Sequence, residues 1–86
     1  MGGYKVFFKA SVEKDFSDIP KKDLQRILNR IKGLGENPRP PGCEKLTGKE
    51  GRYRLRQGKY RIVYSVQDKD LTVQVVKVAH RKNVYR

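Results

Sequence analysis

The chain has 86 residues, with 21 lysines and arginines against 9 aspartates and glutamates, a net charge of +12 and a single cysteine, Cys43. That length holds one small domain with a modest core, predicted to run over 1–86. One cysteine excludes an internal disulfide and supplies no metal-ligand cluster. No apolar run nears the ~20 residues that span a bilayer, and the N-terminus lacks a signal-peptide core. The expectation is a soluble cytoplasmic protein with no membrane partner, no metal and no cofactor. The positive surplus favours a polyanionic partner. It is uneven: residues 1–44 carry nine basic and six acidic side chains, and residues 45–86 carry twelve and three. The second half is therefore the expected binding half.

Taken in order, YKVFFK (4–9) has the short apolar and aromatic character of an opening strand. Between Ala10 and Ile19, the residues Val12, Phe16 and Ile19 recur at i, i+4 and i+7, one face of a short helix. Pro20 suits the first turn of a second helix, where its missing N–H costs little. That helix gathers Leu24, Ile27, Leu28, Ile31 and Leu34 on one face and leaves Lys21, Lys22, Arg26 and Arg30 as a solvated face. Glycines and prolines between Gly33 and Gly42 break it into a loop that leads past Cys43, read as a loop thiol without a role.

The second half reads as an antiparallel meander. Strand 52–56 meets a tight turn at Gln57-Gly58-Lys59, strand 60–66 follows, QDKD (67–70) turns the chain, and strand 71–79 closes. Val75, Val76 and Val78 interrupt strict alternation, which predicts a central strand covered in part on both faces. The predicted class is α+β: a strand, a two-helix hairpin and a three-stranded meander, with the helices on one face of the sheet.

Alternation on a strand sends Arg52, Arg54 and Arg56 to one side and Tyr53 and Leu55 to the other. With the apolar side on the helices, the three arginines face outward, and Arg61 lies close by on the next strand. Exposed strand arginines can simply discourage edge pairing. Here, though, no acidic residue occurs from 51 to 67, and a guanidinium fork matches phosphate oxygens. A phosphate-binding sheet face is expected. Tyr53, Tyr60 and Tyr64 are expected to pack inward, so the surface lacks the aromatic platform of single-strand readers. The tail AHRKNVYR (79–86) adds His80, the only histidine, beside Arg81 and ahead of Tyr85. Histidine suits proton transfer near neutrality, and tyrosine can stack on a base or bond to phosphate.

The runs KLTGKEGRYRLRQGKYRIVYSV (45–66) and VVKVAHRKNVYR (75–86) resemble the RelE/ParE toxin superfamily, its RelE-like branch in particular. The likeness covers nearly the whole chain, through Lys45-Leu46-x-Gly48, a Y-R-L-R strand, a G-x-YRIVY strand and a closing HR-x-x-VY. It implies a toxin of a type II toxin–antitoxin module that cuts mRNA in the ribosomal A site without a metal. In that reaction the ribose 2′-OH attacks the adjacent phosphate. The implied partners are a cognate antitoxin and the mRNA-bearing ribosome, with operator DNA reached only through the antitoxin.

Position by position, the resemblance implies Arg54, Arg56 and Arg61 as phosphate stabilisers. It places His80 or Arg81 at the leaving oxygen and Tyr85 against the scissile nucleotide. Beyond that carry-over, Arg52, Lys45, Lys49, Lys59, Lys82 and Arg86 are the expected RNA or ribosome contacts. The family archetype has lysines at the positions of Arg54 and Arg56 and a basic residue at that of His80. Arginine cannot give up its proton, so His80 is the expected base, with Glu44 and Glu50 as fallbacks. The same resemblance leaves two other readings: a ParE-like inhibitor of DNA gyrase, and a catalytically silent RNA-binding domain.

Overall fold

A computed structural model describes residues 3–48, 50–80 and 82. The opening strand β1 is Lys5–Phe8, followed by the helices α1 (Val12–Ser17) and α2 (Lys21–Leu34). Four strands follow: β2 (Glu44–Lys45), β3 (Arg52–Gln57), β4 (Tyr60–Gln67) and β5 (Thr72–His80). They form one five-stranded sheet in the order β1-β5-β4-β3-β2, antiparallel except where β1 lies parallel to β5. The helices occupy the connection that a parallel pairing requires, because β1 must cross over before β5 can join it.

The core forms because two periodicities meet. The 3.6-residue period of α2 presents Ile27, Ile31 and Leu34, and the two-residue period of the strands presents Leu55, Ile62, Tyr64, Val66, Val73, Val75 and Val78. Val12, the first residue of α1, and Ile19, just past its end, close the cluster. Leu24 is only partly buried and Leu28 is exposed, so the apolar stripe of α2 is narrower than its sequence pattern. Pro20 stands just ahead of α2 as its cap residue. The β3–β4 hairpin turns through Gly58-Lys59, and Gly58 has φ +61°, a backbone region open to glycine at little cost.

The sheet departs from the sequence reading in two places. β2 is a two-residue strand, too short to show any period, and it adds a further edge strand beside β3. In β5 the register steps from Val75, opposite Tyr64, to Lys77, opposite Val63, so Val76 is an inserted residue. The broken alternation at Val75, Val76 and Val78 is thus a β-bulge rather than burial on both faces. β5 does lie inside the sheet, between β1 and β4.

Candidate nucleic-acid interface

The pairing of β3 with β4 sets the geometry of the arginines. Tyr53 lies opposite Tyr64 and Leu55 opposite Ile62, all turned toward the helices. The alternate register rows turn away: Arg52 with Ser65, Arg54 with Val63, and Arg56 with Arg61. Arg54, Arg56 and Arg61 therefore share the helix-free face. Arg56 and Arg61 are direct cross-strand neighbours, and Arg54 lies on the diagonal from Arg61 at roughly 7–8 Å by ordinary sheet geometry. Like charges directly opposite each other are destabilising, and an anion between these side chains would relieve that repulsion.

One carboxylate already reaches this face. β2 pairs Glu44 with Arg54, and an Arg54 guanidinium nitrogen donates to Glu44 Oε1 at 3.0 Å. The side chain of Arg54 is 17 % exposed and that of Glu44 is 64 % exposed. The expectation of an arginine row without carboxylates is corrected here. The 51–67 window is free of acid, but a two-residue strand carries Glu44 in from outside it.

His80 does not join the arginines. It pairs with Tyr60, and the two rings meet edge-on, with centroids 5.5 Å apart and planes at 78°. Tyr60 and Ile62 share the helix-side parity, so His80 sits at the same end of the sheet as Arg61 but on the opposite face. Strict alternation after Val73 and Val75 would have turned His80 to the arginine face, and the inserted Val76 reverses it. Its Nδ1 accepts the Lys82 backbone N–H at 3.3 Å, which puts the proton of a neutral ring on Nε2.

The remaining candidates spread out. Lys45 pairs with Tyr53 and so takes the parity opposite to the arginines, at the sheet edge. Lys59 is exposed at the hairpin tip, beside a polar groove lined by Asp23, Arg26, Gln57 and Tyr60. Lys82 is exposed just past β5. Glu50 is exposed in the turn before β3. Lys49, Arg81, Tyr85 and Arg86 lie outside the described residues.

Sequence reasoning passed over a second polar cluster, which anchors the loop after α2. Arg39 donates through both terminal guanidinium nitrogens to Asp68 (3.2 and 2.8 Å) and through Nε to the Tyr53 hydroxyl (2.9 Å). The Tyr4 hydroxyl donates to Asp68 Oδ1 at 2.6 Å. The Arg39 guanidinium first, and the Tyr4 hydroxyl second, hold the Asp68 carboxyl below its ordinary range. Beneath them the buried Tyr64 hydroxyl donates to the Pro38 carbonyl at 2.7 Å, and burial pushes that phenol up. Partners 14 to 64 residues apart in sequence left no local signal.

Comparison with known proteins settles the class. The family described as ParE toxin of type II toxin-antitoxin system, parDE, matches residues 6–85. The chain is 30% identical to the toxin RelE of Mycobacterium tuberculosis over 84 residues, covering 96% of this chain and 87% of that one. Its fold is similar to the archaeal RelE–RelB complex of Pyrococcus horikoshii OT3. The TM-score is 0.82 and the identity 31%, over 94% of this chain and 98% of the other. It also resembles a chain of the intact E. coli RelBE toxin–antitoxin complex, at TM-score 0.77 and 26% identity over 91% and 96% of the two chains. The chain belongs to the RelE/ParE superfamily and is a RelE-like toxin of a type II toxin–antitoxin system.

Proposed function

We propose that this toxin is a ribosome-dependent mRNA endoribonuclease that halts translation by cutting in the A site. The observation that carries the reading is the convergence of Arg54, Arg56 and Arg61 on the helix-free face, with Arg56 directly opposite Arg61. In the reaction the 2′-oxygen bonds to phosphorus while the P–O5′ bond breaks. The 2′-hydroxyl proton passes to a base, and the leaving 5′-oxygen takes up a proton. The step as written draws on no metal. Three fixed guanidinium groups would meet the charge that builds on the phosphorane oxygens, where preorganised donors are worth several kcal/mol.

Two groups are the candidates to take the 2′-OH proton. Glu44 stands beside Arg54 on the arginine face. His80 stands at the end of β5 on the other face, so RNA reaching it must wrap the end of the sheet. Arg81 and Tyr85 keep the roles that the family resemblance implies, at the leaving oxygen and against the scissile nucleotide. A cognate antitoxin is the natural partner, as in the RelE–RelB complexes that the fold resembles. An acidic segment laid along the arginine face would suit it.

A second reading, a ParE-like toxin acting on DNA gyrase, is kept because the matching family is described by its ParE members. Primer extension on a defined mRNA, with purified toxin and with ribosomes present or omitted, separates the readings. Discrete cuts confined to translating ribosomes support the nuclease. In that assay Glu44→Gln and His80→Gln identify the base by which of them slows cleavage. A toxin that stops growth without cutting RNA moves the assignment to gyrase, with DNA supercoiling as the readout.

A further inference from the structure

β1 is shorter than the strand it lies against. It ends at Phe8, opposite Val75, and its last link is the Lys9 N–H donating to the Val75 carbonyl at 2.9 Å. Beyond Val75 the outer edge of β5 has no strand partner among the described residues, although β5 runs on to His80. A strand edge left open frays or captures other chains.

Here a side chain closes it. Asp15 Oδ2 accepts the Val78 backbone N–H at 3.1 Å, and Asp15 Oδ1 lies 3.4 Å from Lys77 Nζ. The Asp15 side chain is only 18 % exposed. Its place on α1 is fixed from both sides, by fully buried Val12 three residues earlier and by Phe16, whose ring meets Phe8 edge-on at 5.8 Å. Asp15 therefore substitutes for the missing strand at the one stretch of β5 that leads into His80 and residues 81–86.

We infer that Asp15 is a positioning residue for the nuclease: its carboxylate clamps the end of β5 and so sets where His80 meets the RNA. The inference rests on the nuclease reading above. The arginine face is built on β3 and β4, whereas the Asp15 carboxylate holds β5, so RNA binding and the chemical step should separate. Misplacing a catalytic group by about 1 Å can cost up to ~10²-fold in rate. Asparagine preserves an oxygen acceptor for Val78, and alanine does not.

The test is multiple-turnover mRNA cleavage on programmed ribosomes for the wild type, Asp15→Ala and Asp15→Asn, with hydrogen exchange followed at the Val78 amide. We expect Asp15→Ala to lower kcat about ten- to a hundredfold with KM nearly unchanged and to speed exchange at Val78. Asp15→Asn should restore most of both. Should Asp15→Ala not fold, Asp15→Ser, whose hydroxyl stops short of the amide, takes its place. A folded Asp15→Ala that cuts at the wild-type rate overturns the clamp, and so does a loss confined to KM. Equal losses in the alanine and asparagine variants overturn the acceptor role. A wild type that cuts nothing on ribosomes overturns the nuclease reading itself.

Discussion

The two faces of the sheet are built on opposite terms. The helix side is closed by Leu55, Ile62, Tyr64, Val66, Val73, Val75 and Val78, and no polar or charged residue is fully buried among the described residues. The other side carries Arg52, Arg54, Arg56 and Arg61, with the Glu44 carboxylate joined to that row at Arg54. The same strands make both faces, so each alternate residue serves stability or binding and rarely both. The difference teaches that the closed face is chosen for packing and the arginine row for charge: Arg56 and Arg61 stand directly opposite each other, a like-charge pairing that costs stability. Substitutions should therefore sort by parity: those on the open face should cost activity, those on the closed face stability.

Arg61→Ala puts the largest strain on that division. Loss of one preorganised donor should lower cleavage about 10²–10³-fold. The melting temperature should move by only a few degrees, because removing Arg61 also removes the like charge opposite Arg56. Cleavage kinetics and thermal melts on the same preparation decide it. A large fall in melting temperature would show that the open face also holds the fold together and would break the comparison.

The closed face gives the converse case. Tyr64 is fully buried, and its hydroxyl satisfies the Pro38 carbonyl at 2.7 Å. Tyr64→Phe keeps the ring and leaves that acceptor without its partner, which should cost about 1–2 kcal/mol. For a domain of this size that is a fall of roughly 4–8 °C per kcal/mol. Calorimetry should register it, and cleavage by the folded fraction should stay near the wild-type rate. A matching loss of turnover would mean that the loop after α2 reaches into the site.

How far this division was legible in the sequence depends on the range of each signal. The helices and the β3–β4 hairpin follow from local period, and the outward turn of Arg52, Arg54 and Arg56 follows from alternation alone. β2 was not legible, since two residues have no period, and with it went the Glu44–Arg54 pair. The side taken by His80 was illegible for a sharper reason. It depends on whether Val76 is counted in the pairing register, and a bulge is set by the neighbouring strand rather than by the residues that form it. Asp15, Arg39 and Asp68 act through partners far away in sequence, so composition gave only their charge. The tail with Arg81 and Tyr85 rests on the family resemblance.

The smallest effect concerns how the closed face is pinned at its rim. Asp68 receives Arg39 and Tyr4 together, joining the loop after α2 and the start of β1 to the β4–β5 turn. A carboxyl held below its ordinary range contributes stability above its unfolded value, about 3.9, and loses it as pH falls through the folded value. Tyr4 runs the other way. Its hydroxyl is raised, chiefly by the bond to Asp68, so its share is present below about 10 and lost as pH climbs past that. The latch should thus act between those limits. The gap in melting temperature between wild type and Asp68→Ala should be small, because the pair is exposed, steady through neutrality, and closing below about pH 4. Melts from pH 2 to 8 at constant ionic strength read it directly. A gap that persists at pH 2 would assign the contribution of Asp68 to its turn conformation and leave the ion pair with Arg39 no part in holding the rim.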